Sequence, residues 1–181
     1  MKFSPTELEG AVIIEPEVHR DARGFFLETY HARKYEQGGL PAVFVQDNHT
    51  RSARGTLRGM HAQRHRPQGK LVRVIEGEIF DVAADLRKGS PTFGRWISVV
   101  LSAENFKQLY VPPGFVHGFA VTSEAAEVEY KCTDFYDPSD ELGVIWNDPD
   151  LAIRWPFDDP VLSRKDQSNP RLADVLELLA P

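Results

Sequence analysis

The chain has 181 residues, 41% hydrophobic and 27% charged, with a formal net charge of -6 and a pI near 5.5. That is enough chain for one domain with a substantial core, and the composition excludes long disorder. An acidic chain is a poor general partner for nucleic acid or an anionic membrane, so any anionic ligand must meet a local cluster of Arg and Lys. The single cysteine, Cys132, rules out an internal disulfide. With no apolar run of signal-peptide or membrane-span length, the expectation is a cytoplasmic protein.

Short runs rich in Val, Ile and Phe are separated by Gly, Pro, Asn or Asp, a pattern that favours an all-β sandwich or barrel over alternating βα units. The runs predict strands at 11–16, 24–30, 43–50, 70–77, 78–86, 95–101 and 127–133. Helices are expected over 31–37 and over 171–179, where Leu172, Val175, Leu176 and Leu179 form an apolar stripe suited to an outer cap. Residues 70–101 read as consecutive antiparallel strands turning at Glu76-Gly77 and Lys88-Gly89-Ser90-Pro91. In 127–133, alternation puts Val128, Tyr130 and Cys132 on one face and Glu127, Glu129 and Lys131 on the other, so Tyr130 points inward. No repeat or linker divides the chain, so 1–181 is expected to form one unit with a ligand cavity at one mouth of a small barrel.

Four stretches place polar residues at strand positions: Arg23-Gly24-Phe25-Phe26-Leu27-Glu28, Gln46-Asp47-Asn48, Leu57-Arg58-Gly59-Met60-His61-Ala62-Gln63 and Pro113-Gly114-Phe115-Val116-His117-Gly118. Gln46 and Asn48 share a face by parity, and His49 falls on the opposite, outer one. Arg58 and His61 share a face only if Gly59 marks a bulge that re-aims one of them. Taken alone, His61 is more often a satisfied core or loop histidine than a base, and Tyr130 a core aromatic. Lys70 and Arg58 equally suit a solvated surface, and Asp166 a cap near Ser163. His19, His31 and His65 lie in polar segments and receive no role.

The segment Pro112-x-Gly114-x-x-His117 resembles the second signature of the cupin barrels, in which that His often binds a metal. The first signature is broken, because His61-Ala62-Gln63 replaces His-x-His and His65 comes one step late. So few histidines make a weak metal site, and no metal ligand is assigned. Across nearly its whole length the chain resembles the dTDP-4-dehydrorhamnose 3,5-epimerase family. The early matching blocks are Asp21-Ala22-Arg23-Gly24-Phe25-Phe26-Leu27-Glu28, Gln46-Asp47-Asn48, Gly55-Thr56-Leu57-Arg58-Gly59-Met60-His61 and Gln68-Gly69-Lys70-Leu71-Val72. Phe80-Asp81-Val82, Gly89-Ser90-Pro91-Thr92-Phe93-Gly94, the His117 segment, Tyr130-Lys131, Trp146-Asn147-Asp148-Pro149, Ile153-Arg154-Trp155-Pro156 and Leu162-Ser163-Arg164-Lys165-Asp166 follow in order.

The resemblance implies an all-β, cupin-like barrel or jelly roll with a few short peripheral helices, no cofactor, and inversion of the carbons flanking a ketone on a dTDP-sugar. By motif, His61 would be the base with Asp166 holding its imidazole, Lys70 would lie near the C4 oxygen, and Tyr130 would return the proton from the opposite face. Arg23, Glu28, Gln46, Asp47, Asn48, Arg58, His117, Glu141 and Lys165 would bind sugar or nucleotide. Arg23, Arg58 and Lys165 would supply the positive charge that a pyrophosphate requires. The family also implies a homodimer in which an N-terminal strand joins the partner's sheet, leaving open which subunit supplies Arg23 and Glu28.

One departure stands out. The family commonly carries an aromatic residue between the catalytic His and the following Gln, where this chain has Ala62. In the pocket that change would alter substrate fit; in a second layer it would alter packing. Rival readings are a single-carbon epimerase or ketoisomerase of a related sugar, a non-catalytic sugar-binding barrel, and a metal-dependent cupin oxygenase.

Overall fold

The computed structural model describes residues 1–179. Thirteen strands are distributed over two large sheets and one hairpin among these residues. The first sheet contains β1 (Lys2–Pro5), β2 (Val12–Glu15), β10 (Gln108–Val111), β7 (Lys70–Glu76), β12 (Ala125–Cys132) and β5 (Gln46–Ala53), in that spatial order. The second contains β13 (Glu141–Gly143), β6 (Leu57–Gln63), β11 (Phe115–Val121), β8 (Glu78–Asp85) and β9 (Trp96–Ser102). β3 (Val18–Asp21) and β4 (Gly24–Leu27) form the separate hairpin. Every strand pairing within these sheets is antiparallel, as expected of a jelly roll closing on its own core.

Alternation along the strands decides what the interior contains. Val72, Val74, Ile79, Leu101, Phe119, Val121 and Val128 meet in the principal core between the sheets. A second cluster lies on the outer face of the second sheet, where Met60, Val82, Val116 and Leu142 pack with Leu172, Val175 and Leu179 of the C-terminal cap. A third joins Ile14, Leu71 and Tyr110 to Tyr35 of α1 (Ala32–Gln37). Each fully buried aliphatic side chain contributes about 1.5–3 kcal/mol relative to exposure, so all three clusters matter to stability.

The expected helix over 31–37 is present as α1. The expected helix over 171–179 divides into α3 (Leu172–Val175) and a 3-10 turn, Leu176–Leu178. The tighter turn rotates Leu176 out of the apolar stripe to 40% exposure, while Leu172, Val175 and Leu179 stay buried. The consecutive pairing expected over 70–101 holds for β8 with β9 but fails for β7 with β8, which lie in different sheets. Gly77, at φ +77, carries the chain from one sheet to the other against the Ala125 carbonyl, where a Cβ would stand 2.0 Å from the oxygen. The strand expected at 24–30 shortens to β4, the one expected at 43–50 is displaced by three residues to β5, and the short strands β1, β3, β10 and β13 were not anticipated. Among the described residues, no helix is long and apolar enough to cross a membrane.

Candidate active site

At one mouth of the barrel the inward positions turn from apolar to polar. On β7 the inward series runs Val74, Val72, Lys70; on β12 it runs Ala126, Val128, Tyr130; on β11 Phe119 gives way to His117. The register aligns these changes, since Val72 lies opposite Tyr130 and His117 opposite His61. β5 contributes Gln46, Asn48 and Thr50 from the same face, while Asp47, His49 and Arg51 point outward.

The bulge expected at Gly59 is present. β6 has two residues between Arg58 and His61 where β11 has one between Phe119 and His117, so Arg58 and His61 line the same cavity. Gly59 adopts φ +131, and a Cβ there would stand 2.6 Å from the Gly118 Cα. Only glycine permits that conformation and that approach together.

The resulting cleft has two adjoining lobes. The inner lobe, about 400 Å³, is lined by Arg58, His61, Lys70, His117, Tyr130 and Asp166, among others. The outer lobe, about 280 Å³, adds Gln46, Asn48, Gln68, Tyr136 and Glu141. His61, Lys70, Tyr130 and Lys165 border both lobes, so a ligand spanning the cleft must pass them.

His61 Nε2 lies 2.6 Å from Asp166 Oδ1, and the Asp166 side chain is almost wholly buried. Asp166 arrives on α2 (Arg164–Gln167), whose N-cap Ser163 accepts a hydrogen bond from the Asp166 backbone N–H through its hydroxyl. One turn therefore provides both the helix cap and the contact to His61. Burial opposes ionisation of Asp166, but its bond to the His61 imidazole, the imidazole's charge, and bonds from Ser163 and the Gly59 N–H hold its pKa below the ordinary carboxylate value.

On the opposite sheet, burial pushes the Tyr130 phenol above its usual value, keeping it a neutral proton donor near pH 7. Burial lowers the Lys70 ammonium against the upward pull of Cys132, Asp81 and Glu141. At the outer lobe, Glu141 pairs with Lys165 and accepts a 2.9 Å bond from the Tyr136 hydroxyl. Gln46 accepts from the Tyr136 backbone N–H at 2.8 Å and donates to Asn48 at 3.1 Å.

His61, Lys70, Tyr130, Asp166, Arg58, His117, Gln46, Asn48, Glu141 and Lys165 thus converge. Asp47, Arg23 and Glu28 do not join them in this chain: Asp47 pairs with Lys131 on the outer face, Arg23 with Asp21 at the hairpin tip, and Glu28 with Lys34. Ala62 packs against the second core cluster, in register with Leu142, and borders the outer lobe as well as a separate hollow behind β6. Residue-level assignment missed Asp81, a fully buried carboxylate whose two oxygens each lie 3.0 Å from His117 Nε2. Its signal was present, since Asp81 interrupts an otherwise apolar run in β8 and a buried carboxylate demands a partner. Among the described residues, no group of three or more His, Cys, Asp or Glu side chains is disposed to hold a metal ion.

A base backed by a carboxylate on one wall and a neutral phenol on the other can remove a proton from one face of a bound carbon and return one to the opposite face. That arrangement on a cupin-like jelly roll suits an epimerase. The family model described as dTDP-4-dehydrorhamnose 3,5-epimerase matches residues 5–174, and the chain belongs to that family. It is 53% identical over 177 residues to the dTDP-4-dehydrorhamnose 3,5-epimerase of Pseudomonas aeruginosa, covering 97% of this chain and 98% of that protein. The crystal structure of the Legionella pneumophila 3,5-epimerase in complex with dTDP-4-keto-L-rhamnose superposes with a TM-score of 0.95 at 48% identity, covering 99% of this chain and 97% of the other. A 3'-monoepimerase from Streptomyces bikiniensis, solved with dTDP-quinovose, superposes with a TM-score of 0.91 at 38% identity over 97% and 91% of the two chains.

Proposed function

We propose that this enzyme inverts C3 and C5 of dTDP-4-dehydro-6-deoxy-D-glucose, giving dTDP-4-dehydro-L-rhamnose in the route to dTDP-L-rhamnose. The observation that carries the reading is the placement of His61 and Tyr130 on facing sheets, with Lys70 on the strand next to that of Tyr130 and bordering both lobes. His61 takes the proton next to the C4 ketone, and Asp166 holds the imidazole and stabilises the charge it gains. Lys70 stabilises the enolate oxygen at C4. Tyr130 delivers a proton from the other side, and the resulting carbon is inverted. His61 then releases its proton to solvent and Tyr130 takes one up, and the same steps repeat at the second carbon.

The nucleotide diphosphate extends from the inner to the outer lobe. Arg58 and Lys165 supply charge within the chain, and Gln46, Asn48, His117 and Glu141 supply polar contacts. In this proposal Arg23 and Glu28, with Asp47 as an outer-face neighbour, reach the nucleotide at an interface between two copies of the chain, joined through an N-terminal strand. No step is assigned to a metal or other cofactor, and the single, buried Cys132 is consistent with a cytoplasmic enzyme.

Incubation with dTDP-4-dehydro-6-deoxyglucose in D₂O, followed by NMR, tests the reading. Deuterium at both C3 and C5, absent with His61→Ala, is expected. The likeness to a 3'-monoepimerase keeps a single-carbon reaction as the second reading, and label at one carbon alone would establish it. Bound substrate without label would leave a sugar-nucleotide-binding protein, and stoichiometric iron in the purified protein would overturn the metal-independent mechanism.

A further inference from the structure

The inner lobe holds a second histidine–carboxylate pair, and the proposed steps do not use its carboxylate. His117 lies directly opposite His61 in the pairing of β11 with β6, and both Asp81 oxygens stand 3.0 Å from its Nε2. Asp81 sits on β8 between Ile79 and Ala83, which both belong to the principal core, so its carboxylate is turned inward and wholly buried. His117 lines the inner lobe but not the outer one, which in the reading above puts it beside the sugar rather than the base.

The two pairs differ in what else holds the carboxylate. Asp166 also receives bonds from Ser163 and the Gly59 N–H, so it stays satisfied while His61 gains and loses a proton. Among the described residues, Asp81 bonds to His117 alone. A carboxylate in the core must keep its partner, so a hydrogen has to remain on His117 Nε2. That leaves Nδ1, which has no partner among the described residues and is not sealed from solvent, open to the inner lobe. A hydrogen there as well would make His117 an imidazolium, opposite His61 and in the same lobe as Arg58 and Lys70, and would oppose the charge His61 gains as a base. The site therefore works best with Nδ1 bare, as an acceptor. Asp81 also favours the charged form of Lys70 against burial, so one carboxylate faces two of the groups around the sugar.

We propose that Asp81 is a positioning residue for the reaction: by holding the Nε2 hydrogen of His117 it fixes that imidazole as an acceptor, whose Nδ1 takes the hydrogen of a ring hydroxyl of the bound sugar. The proposal rests on the epimerase reading and adds to it a residue that touches no substrate. It also separates the two histidines by task, His61 moving a proton and His117 holding the sugar in place for that transfer.

Nitrogen-15 NMR of the whole protein with dTDP bound, its imidazole signals assigned against a His117→Gln chain, reads the tautomer directly. Hydrogen on Nε2 and none on Nδ1 is expected, and this measurement stands even if no Asp81 variant folds. Asp81→Asn keeps the shape but offers an amide N–H to Nε2, which moves the hydrogen to Nδ1 and turns the acceptor into a donor. For that variant kcat/KM for deuterium exchange should fall roughly tenfold to a hundredfold, the loss expected for one mismatched hydrogen bond, while the Kd for dTDP, which carries no sugar, stays unchanged. In the His117→Gln chain, whose amide can still serve Asp81, the same substitution should cost no further activity. Wild-type protein that binds substrate without exchange would fail the epimerase reading itself. Normal exchange with hydrogen on His117 Nδ1, an Asp81→Asn chain with unchanged kcat/KM, or equal losses in the presence and absence of the His117 imidazole would overturn this proposal alone.

Discussion

His61 is useful as a base only if its ring is held in one orientation, and the 2.6 Å contact to buried Asp166 provides that constraint. Asp166→Asn keeps the shape and removes the charge, so kcat should fall roughly 10²–10⁴-fold with little change in KM. Equal losses in binding and turnover would make Asp166 a general structural support instead. Lys70 presents the opposite balance, since burial lowers its pKa. A base whose folded pKa lies below its unfolded value binds fewer protons when folded, so stability rises with pH across that interval and the penalty is full below the folded value. Lys70→Met should therefore raise Tm by roughly a few degrees while suppressing deuterium exchange. A lower Tm would show that the ammonium is compensated in place. Much of this geometry was legible in strand parity, which put Tyr130, Gln46 and Asn48 inside and His49 outside. Asp47 lies on the outer face with His49, where its motif had implied a binding residue. The pairing of His61 with Asp166 was invisible to parity because it joins residues 105 positions apart, and only the family blocks pointed to it.

At the level of elements, β6 owes its site geometry to one irregularity. Gly59→Ala puts a Cβ 2.6 Å from the Gly118 Cα and 2.9 Å from the His117 carbonyl oxygen, at a φ that L residues avoid. Loss of roughly 2–4 kcal/mol in urea unfolding is expected, with exchange activity falling in whatever fraction remains folded. A neutral effect would mean that Arg58 and His61 can share the cavity without the bulge. Gly59 could be suspected from sequence because it sits between two polar residues of conflicting parity, whereas the crossing at Gly77 could not, since a hairpin and a sheet-to-sheet turn have the same local chemistry. The turn after β8 makes a second element-scale prediction. Asp85 is wholly buried, and although burial opposes its charge, bonds from Arg87, Ser90 and Thr92 hold its carboxyl far below the usual carboxylate range. An acid with a depressed folded pKa contributes stability that is present above its unfolded value and is lost as pH falls through its folded one. Asp85→Asn should thus cost roughly 3 kcal/mol at neutral pH, and its difference from the wild type should shrink steadily as pH is lowered below 3.8. A gap independent of pH in that range would assign the turn's stability to shape alone.

For the whole molecule, the outstanding feature is the β3–β4 hairpin, which belongs to neither large sheet. Phe25 and Phe26 at its end are 57% and 70% exposed, and Arg23 stands beside them in a hollow that shares no lining residue with the cleft. Exposed aromatics on a hairpin suit a contact with a second copy, and in a two-fold dimer each hairpin would serve the partner's site. Complementation separates this arrangement from a structural role for the hairpin. Arg23→Ala chains and His61→Ala chains are each expected to be nearly inactive. If Arg23 acts across the interface, unfolding and refolding an equal mixture creates mixed dimers that each hold one intact site. Half of the dimers would be mixed, with one of their two sites restored, so activity should return to about a quarter of wild type. If Arg23 serves its own chain, every mixed dimer carries one defect in each site and activity stays at the level of the separate variants. Sedimentation of a Phe26→Asp variant supplies the companion observation: a monomer that still binds dTDP weakly would place the aromatic contact at the interface, and an unchanged dimer would move that interface elsewhere on the barrel.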